Sequence, residues 1–381
     1  MKRHLALILS AVMLCSAAAC GADKGETGKE DAVSQISVQS AKEEETAQSD
    51  PFAAVSVVDQ SEDSEAVDPQ TFVEQVMEKY LFEGIVYAEK DGKPVAVCAR
   101  GNDESGKPLT ADTPMPIGSV SKQFCAAAIL RLAEQKKLSL DDTVGTYFPE
   151  YTAAKEVTLK QLLSMRSGVP NFTEELFTIT KNDNTDEENT ELIKKWIFEK
   201  PMDFNPGEGY TYSNSNFMLL GNIVEQVTGQ PYAAYLRENF FEPLGMTHTG
   251  TISEMTESAQ WTGGVSYQHI DLQPGLTKGA GDILSNGADI SLWLNALSSG
   301  EVITDESYQA MTTNYTEEQG YGYGIRTNFF GGIGHPGSIG SYVALDYIQP
   351  EEHLTFFLAS SSLSENGMFP MITEVLRGLR A

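Results

Sequence analysis

The stretch "PIGSVSKQFCAAAILRLAEQ", Pro116 to Gln135, decides how the rest of the chain is read. A Pro/Gly turn runs into an apolar helix pattern, with Phe124, Ala128 and Leu132 on one stripe and Cys125 and Ile129 beside it. At its head Ser119 and Lys122 stand three apart, which puts both side chains on one helix face with Cβ atoms about 5–6 Å apart. A lysine at a helix start opposes the macrodipole, so its charged form is disfavoured there. The free N–H groups of the same turn favour negative charge on the serine oxygen. Burial would favour a neutral Lys122 amine, able to accept the serine proton. Alone, the pair reads equally well as a capping serine beside a solvent-facing lysine.

Two further stretches bring polar groups of complementary chemistry. "YTYSNSNF", Tyr210 to Phe217, supplies Tyr212, whose hydroxyl can share proton transfer, and Asn214, whose amide can bind a substrate carbonyl. "GGIGHPGSIGSYVALD", Gly331 to Asp346, reads as a Gly-rich strand edge that a substrate backbone can approach. His335 stands on it, with a ring able to bond or attract a substrate carboxylate.

Together the three stretches resemble the Ser-x-x-Lys, Tyr-x-Asn and Lys/His-x-Gly set of the serine β-lactamase and penicillin-binding protein superfamily. The branch they are most similar to is that of class C β-lactamases and D-alanyl-D-alanine carboxypeptidases. "VTLKQLLSMRSGVPNF", "FNPGEGYTYSNSNFMLLGNIVEQVTGQPY", "FEPLGMTHT" and "KGAGDILSNGADISLWLNAL" resemble family blocks in the expected order, so the likeness covers nearly all of 69–381. It implies Ser119 as acylated nucleophile and Lys122 with Tyr212 as the proton-transfer pair, the role held jointly. Asn214 would line the substrate cleft, and His335 and Gly337 would lie on the strand beside it. The backbone N–H groups of Ser119 and Ser338 would form the oxyanion hole. Two positions depart from the family pattern. His335 stands where the best-known β-lactamases have lysine, which resembles peptidase and esterase members and points away from an efficient β-lactamase. Met165 replaces a histidine found in many members, a structural position.

The resemblance implies a β-lactamase/transpeptidase-like fold, and the pattern along the chain agrees. "DPQTFVEQVMEKY" has helical spacing, and two β-rich runs flank Lys90-Asp91-Gly92-Lys93, a hairpin signal. The middle of the chain, to about residue 310, is mostly helical in pattern. There "VTLKQLLSMRSG", "NFMLLGNIVEQVTG" and "ADISLWLNALSSG" each end in a glycine that signals a helix stop. Strand patterns return at "GYGYGIRTN" and "GSYVALDYIQPEEHLTFFLASS", and "PMITEVLRGLR" closes as a helix. The expected class is therefore α/β (α+β): a discontinuous antiparallel sheet flanked by helices, plus a mostly helical lobe.

Ahead of this domain lies "MKRHLALILSAVMLCSAAAC". A basic start, a short apolar run and small residues before Cys20 read as an export signal, residues 1–20. The segment resembles a bacterial lipobox, implying lipidation of Cys20 and an anchor in the outer face of the cell membrane; plain secretion is the alternative. Residues 21–68 hold thirteen Asp/Glu against three Lys. That composition cannot bury enough apolar surface to fold and reads as a disordered acidic linker.

The net charge of −28 excludes nucleic acid as a partner, since phosphate binding needs basic surface. Five histidines, His248 and His269 among them, show no metal-ligand spacing, and Cys98 and Cys125 read as buried hydrophobes. No cofactor is implied. No Gly-x-Ser-x-Gly elbow surrounds Ser119, Ser266 or Ser338, which sets aside a Ser-His-Asp hydrolase. The expected function is an exported serine acyl hydrolase acting on D-amino-acid peptides or esters of the cell envelope, such as peptidoglycan stem peptides. A β-lactamase or small-ester esterase of the same family is the alternative. A lipid-anchored binding protein on the same fold, without turnover, is the alternative of another class.

Overall fold

The computed structural model describes residues 67–103, 106–181, 184–257, 276–362 and 365–380. The export signal, Cys20, nearly all of the acidic linker, Ser266 and His269 lie outside them. Six helices of eleven residues or more are α1 (Pro69–Lys79), α2 (Lys122–Glu134), α3 (Asp186–Glu199), α4 (Asn214–Thr228), α5 (Gly287–Ser298) and α6 (Glu365–Arg380).

Strands β1 (Gly84–Lys90) and β2 (Lys93–Arg100) form the expected hairpin. They join β6 (Arg326–Phe329), β7 (Gly332–Ile339), β8 (Tyr342–Gln349) and β9 (Leu354–Ser360) in one six-stranded sheet, ordered β2-β1-β9-β8-β7-β6. Neighbouring strands in this sheet run antiparallel, and β1 against β9 joins residues from the two ends of the domain. The sheet is therefore discontinuous in sequence, as expected. The middle of the chain also holds a small sheet that the helical pattern concealed. It pairs β3 (Met115–Pro116), β5 (Ile283–Ser285) and β4 (Gly250–Thr251) in that order.

Side chains alternate across a strand, and here both faces are covered. Val86, Ala88, Val343, Leu345, Phe356 and Leu358 face an outer core closed by α1 and α6, through Val73, Met77, Met371, Ile372 and Val375. Ile85, Tyr87, Ala344, Phe357 and Ala359 face an inner core shared with α2, α4 and α5. Phe124, Phe217 and Trp293 fill that core without exposure. Asp68 caps α1 by accepting from the Thr71 N–H at 3.1 Å, and Pro69 follows at the first helical position, where its missing N–H costs nothing.

Helix stops follow local chemistry, with corrections to the expected ends. Gly229, at φ +69°, ends α4 in the left-handed conformation that glycine reaches without strain. The short helix Leu159–Leu163 stops instead at Met165, itself at φ +60°, before Gly168 is reached. Helix α6 begins five residues ahead of Pro370, which sits inside it. Cys98 and Cys125 are buried and free, as expected.

Candidate active site

Ser119 does not occupy the first turn of an α-helix. It lies in a 3₁₀ turn, Gly118–Ser121, and α2 starts at Lys122. The turn packs against β7 so closely that no side chain fits between them. A Cβ on Gly337 would sit 2.0 Å from the Ile117 carbonyl oxygen and 3.1 Å from Ser119 N. A Cβ on Gly118, whose φ is +50°, would sit 2.7 Å from Ser338 N. The two glycines let turn and strand meet backbone to backbone, and Ser119 and Ser338 line one cavity.

Lys122 is completely buried. Its Nζ lies 3.0 Å from Ser119 Oγ, 2.7 Å from Asn214 Oδ1 and 2.6 Å from the Ala280 carbonyl oxygen. Burial pulls the ammonium's pKa down to about 7, against the opposing pull of Asp282. A neutral amine carries two hydrogens and one lone pair. Asn214 Oδ1 and the Ala280 carbonyl only accept, so they take both hydrogens. The lone pair is left for the Ser119 hydroxyl, which is the arrangement a proton acceptor for a nucleophile requires.

Asn214 opens α4, and its amide is fixed on both sides. Its backbone N–H donates to Asn171 Oδ1 at 3.0 Å, and its Nδ2 donates to Thr173 Oγ1 at 3.2 Å. It lines the cleft, but its carbonyl holds Lys122. Asn171 and Thr173 therefore support the site; the sequence offered only a block resemblance at Asn171, and nothing at Thr173. Tyr212 presents its ring to Lys122, with Nζ 4.9 Å from the ring centre. Met165 is buried, and its Sδ accepts from the Ser213 N–H at 3.4 Å, in keeping with a structural position.

His335 is buried, at 2% exposure, beside the site, with its ring centre 6.1 Å from that of Tyr212. Nδ1 faces the Pro336 carbonyl oxygen at 2.5 Å, and Nε2 lies 3.1 Å from the Tyr321 hydroxyl. A proton on Nδ1 satisfies the first contact and leaves Nε2 to accept from Tyr321. Burial, reinforced by Lys122 and Arg326, holds the imidazole well below its usual range and therefore neutral. Across the strand pair, Asp346 accepts from the His335 N–H at 2.7 Å and from Gln123 Nε2 at 2.6 Å. Burial raises its carboxyl to about 7. This Gln123–Asp346–His335 network ties α2 to β7 and β8, and no motif signalled it.

A cavity of about 370 Å³ opens over Ser119, with Thr173, Asn214, Ala280, Ser338 and Ile339 on its walls. Gly337 packs against the Ser119 turn, and His335 stands two residues before it on the same face of β7. His248 lies away from the site, where its backbone N–H donates to Asp289 at 2.8 Å. Among the described residues, no group of three His, Cys, Asp or Glu is placed to hold a metal ion.

A model of the Beta-lactamase family matches residues 70–377. PbpX of Bacillus subtilis (strain 168) is 29% identical over 293 residues, covering 71% of this chain and 72% of that protein. Protein flp of Staphylococcus aureus (strain COL) is 33% identical over 189 residues. That match covers 47% of this chain and 37% of flp, so only a minor part of flp is spanned. The D-amino acid amidase from Ochrobactrum anthropi SV3, complexed with L-phenylalanine, superposes with a TM-score of 0.72 at 22% identity. The superposition covers 82% of this chain and 99% of the amidase.

Proposed function

The chain belongs to the Beta-lactamase family, whose members are generally serine hydrolases, and from that premise we propose that it is an exported serine acyl hydrolase working through an acyl-enzyme at Ser119. The observation that carries the proposal is the buried Lys122 amine, 3.0 Å from Ser119 Oγ with its two other contacts to pure acceptors. Ser119 Oγ attacks the acyl carbonyl and its proton passes to Lys122 Nζ, with Tyr212 in the same proton-transfer pair. The backbone N–H groups of Ser119 and Ser338 hold the oxyanion. Collapse breaks the bond to the leaving amine or alcohol, which takes the proton. Water then repeats the sequence on the acyl-enzyme and frees Ser119.

The substrates are D-amino-acid peptides or esters of the cell envelope. The superposition on an enzyme named a D-amino acid amidase, and the relation to PbpX, named a putative penicillin-binding protein, are in keeping with such acyl groups. To test the nucleophile, the purified protein is treated with a fluorophosphonate or fluorescent penicillin beside Ser119→Ala. Covalent labelling is expected in the parent and lost in the variant; equal labelling of both would remove Ser119 from the mechanism.

Residues 1–20 direct export, Cys20 carries lipid, and residues 21–68 act as a tether holding the domain off the membrane. Mass spectrometry of cell-derived protein is expected to find diacylglycerol on an N-terminal Cys20. An unmodified N-terminus further along would replace the anchor with secretion.

A further inference from the structure

Resting on the acylation of Ser119 proposed above, we infer that the substrate's leaving end is uncharged: the site takes esters and C-terminal amides in preference to peptides ending in a free carboxylate. Such peptides would bring an anion into the cleft over Ser119, and among the described residues no cation lines the cleft to neutralise it. Its polar walls are Ser119, Thr173, Asn214, Thr277 and Ser338, and no charged side chain of a described residue lines it. Leu176, Phe177 and Ile339 make the remaining side-chain wall apolar.

The nearest cations are committed elsewhere. Lys122 spends its three contacts on Ser119, Asn214 and Ala280. Lys278 follows Thr277 in sequence but pairs with Glu225 at 2.8 Å. Arg326 lies over the Tyr321 ring, 5.9 Å from its centre, and donates to the Gln319 carbonyl. His335 is buried, and both its ring nitrogens face partners. The sequence of residues 258–275, which precede Thr277, contains neither lysine nor arginine.

The uncharged donors are scarce too. The Thr173 hydroxyl donates to Asn171 Oδ1 at 3.0 Å, and the Asn214 amide donates to Thr173. Ser119 is the nucleophile, which leaves the hydroxyls of Thr277 and Ser338 and the second amide hydrogen of Asn214, all of them neutral donors. A carboxylate leaving water gains most from a charged partner, which none of these donors is, whereas an ester or amide oxygen is satisfied by one neutral donor. The chain's net charge of −28 adds a general repulsion of anions.

The test uses three substrates with the same scissile bond: N-acyl-D-alanyl-D-alanine as free acid, as C-terminal amide and as methyl ester. The amide and ester are expected to show kcat/KM at least about tenfold above the acid, mainly through KM. Phe177 is 71% exposed on the cleft wall, and Phe177→Arg supplies the missing cation without burying it. That variant is expected to narrow the gap at least about threefold by lowering KM for the acid. Where turnover is too slow to follow, the same three compounds compete against fluorophosphonate labelling, and the acid is expected to protect least. An acid that matches or outruns the amide while still depending on Ser119 overturns the preference alone. Turnover of all three that survives Ser119→Ala overturns the acyl-enzyme and the preference with it.

Discussion

At the scale of single residues, the site turns on how many hydrogens Lys122 carries. Burial sets its pKa at about 7, so the amine is neutral above that pH and charged below it. Only the neutral form has a lone pair for the Ser119 proton. Acylation is therefore expected to rise as pH climbs through about 7 and to fall as pH drops below it. Asn214 gives a way to move that limb. Asn214→Asp places a negative charge where a neutral oxygen now lies 2.7 Å from Nζ. An anion beside an ammonium favours the charged form, so the limb should shift to higher pH. The rate of Ser119 labelling against pH measures it. A limb that stays near 7 in this variant would show that some other group titrates there.

At the scale of elements, sequence and structure part in instructive places. The Ser119–Lys122 pair was legible because helix periodicity puts i and i+3 together, and the structure keeps them 3.0 Å apart despite the 3₁₀ turn. Helix α4 and its Gly229 stop were legible because a left-handed cap has a strong residue preference. What escaped was any contact whose partner is set by tertiary packing. Ala280 contributes a backbone carbonyl, which has no residue signature at all. Asn171 and Thr173 hold Asn214 from some forty residues away. The surroundings of His335 were hidden for the same reason. A histidine beside glycines on a strand edge looks available, but its ring is buried against the Tyr321 hydroxyl while its backbone N–H donates to Asp346. The two-residue strands β3 and β4 were too short to leave a periodic pattern within a helical region.

At the scale of the whole molecule, the sheet separates two packing problems. Its outer face rests on α1 and α6, segments from opposite ends of the domain, joined also by the Lys79–Glu374 ion pair at 2.7 Å. Its inner face carries the α2 turn, so the position of Ser119 depends on how near β7 can come. Stability and catalytic geometry are therefore separable by substitution. Ile372→Ala removes a side chain with no exposure from the outer core, at a cost of about 2–5 kcal/mol. It should lower Tm by roughly 3–8 °C. Labelling of Ser119 well below Tm should stay within about twofold, because the cavity it creates lies across the sheet from the site. Gly337→Ala acts the other way. Its new Cβ would meet the Ile117 carbonyl at 2.0 Å, and the backbone there has no flexible end to swing aside. Strand and turn must move apart, displacing Ser119 from the nitrogens proposed to hold the oxyanion. A misplacement of about 1 Å is expected to slow labelling on the order of 100-fold. Thermal denaturation and labelling rates on both variants decide the matter. If Ile372→Ala slows labelling of the folded protein as much as Gly337→Ala does, the sheet does not insulate the site and the two faces work as one unit.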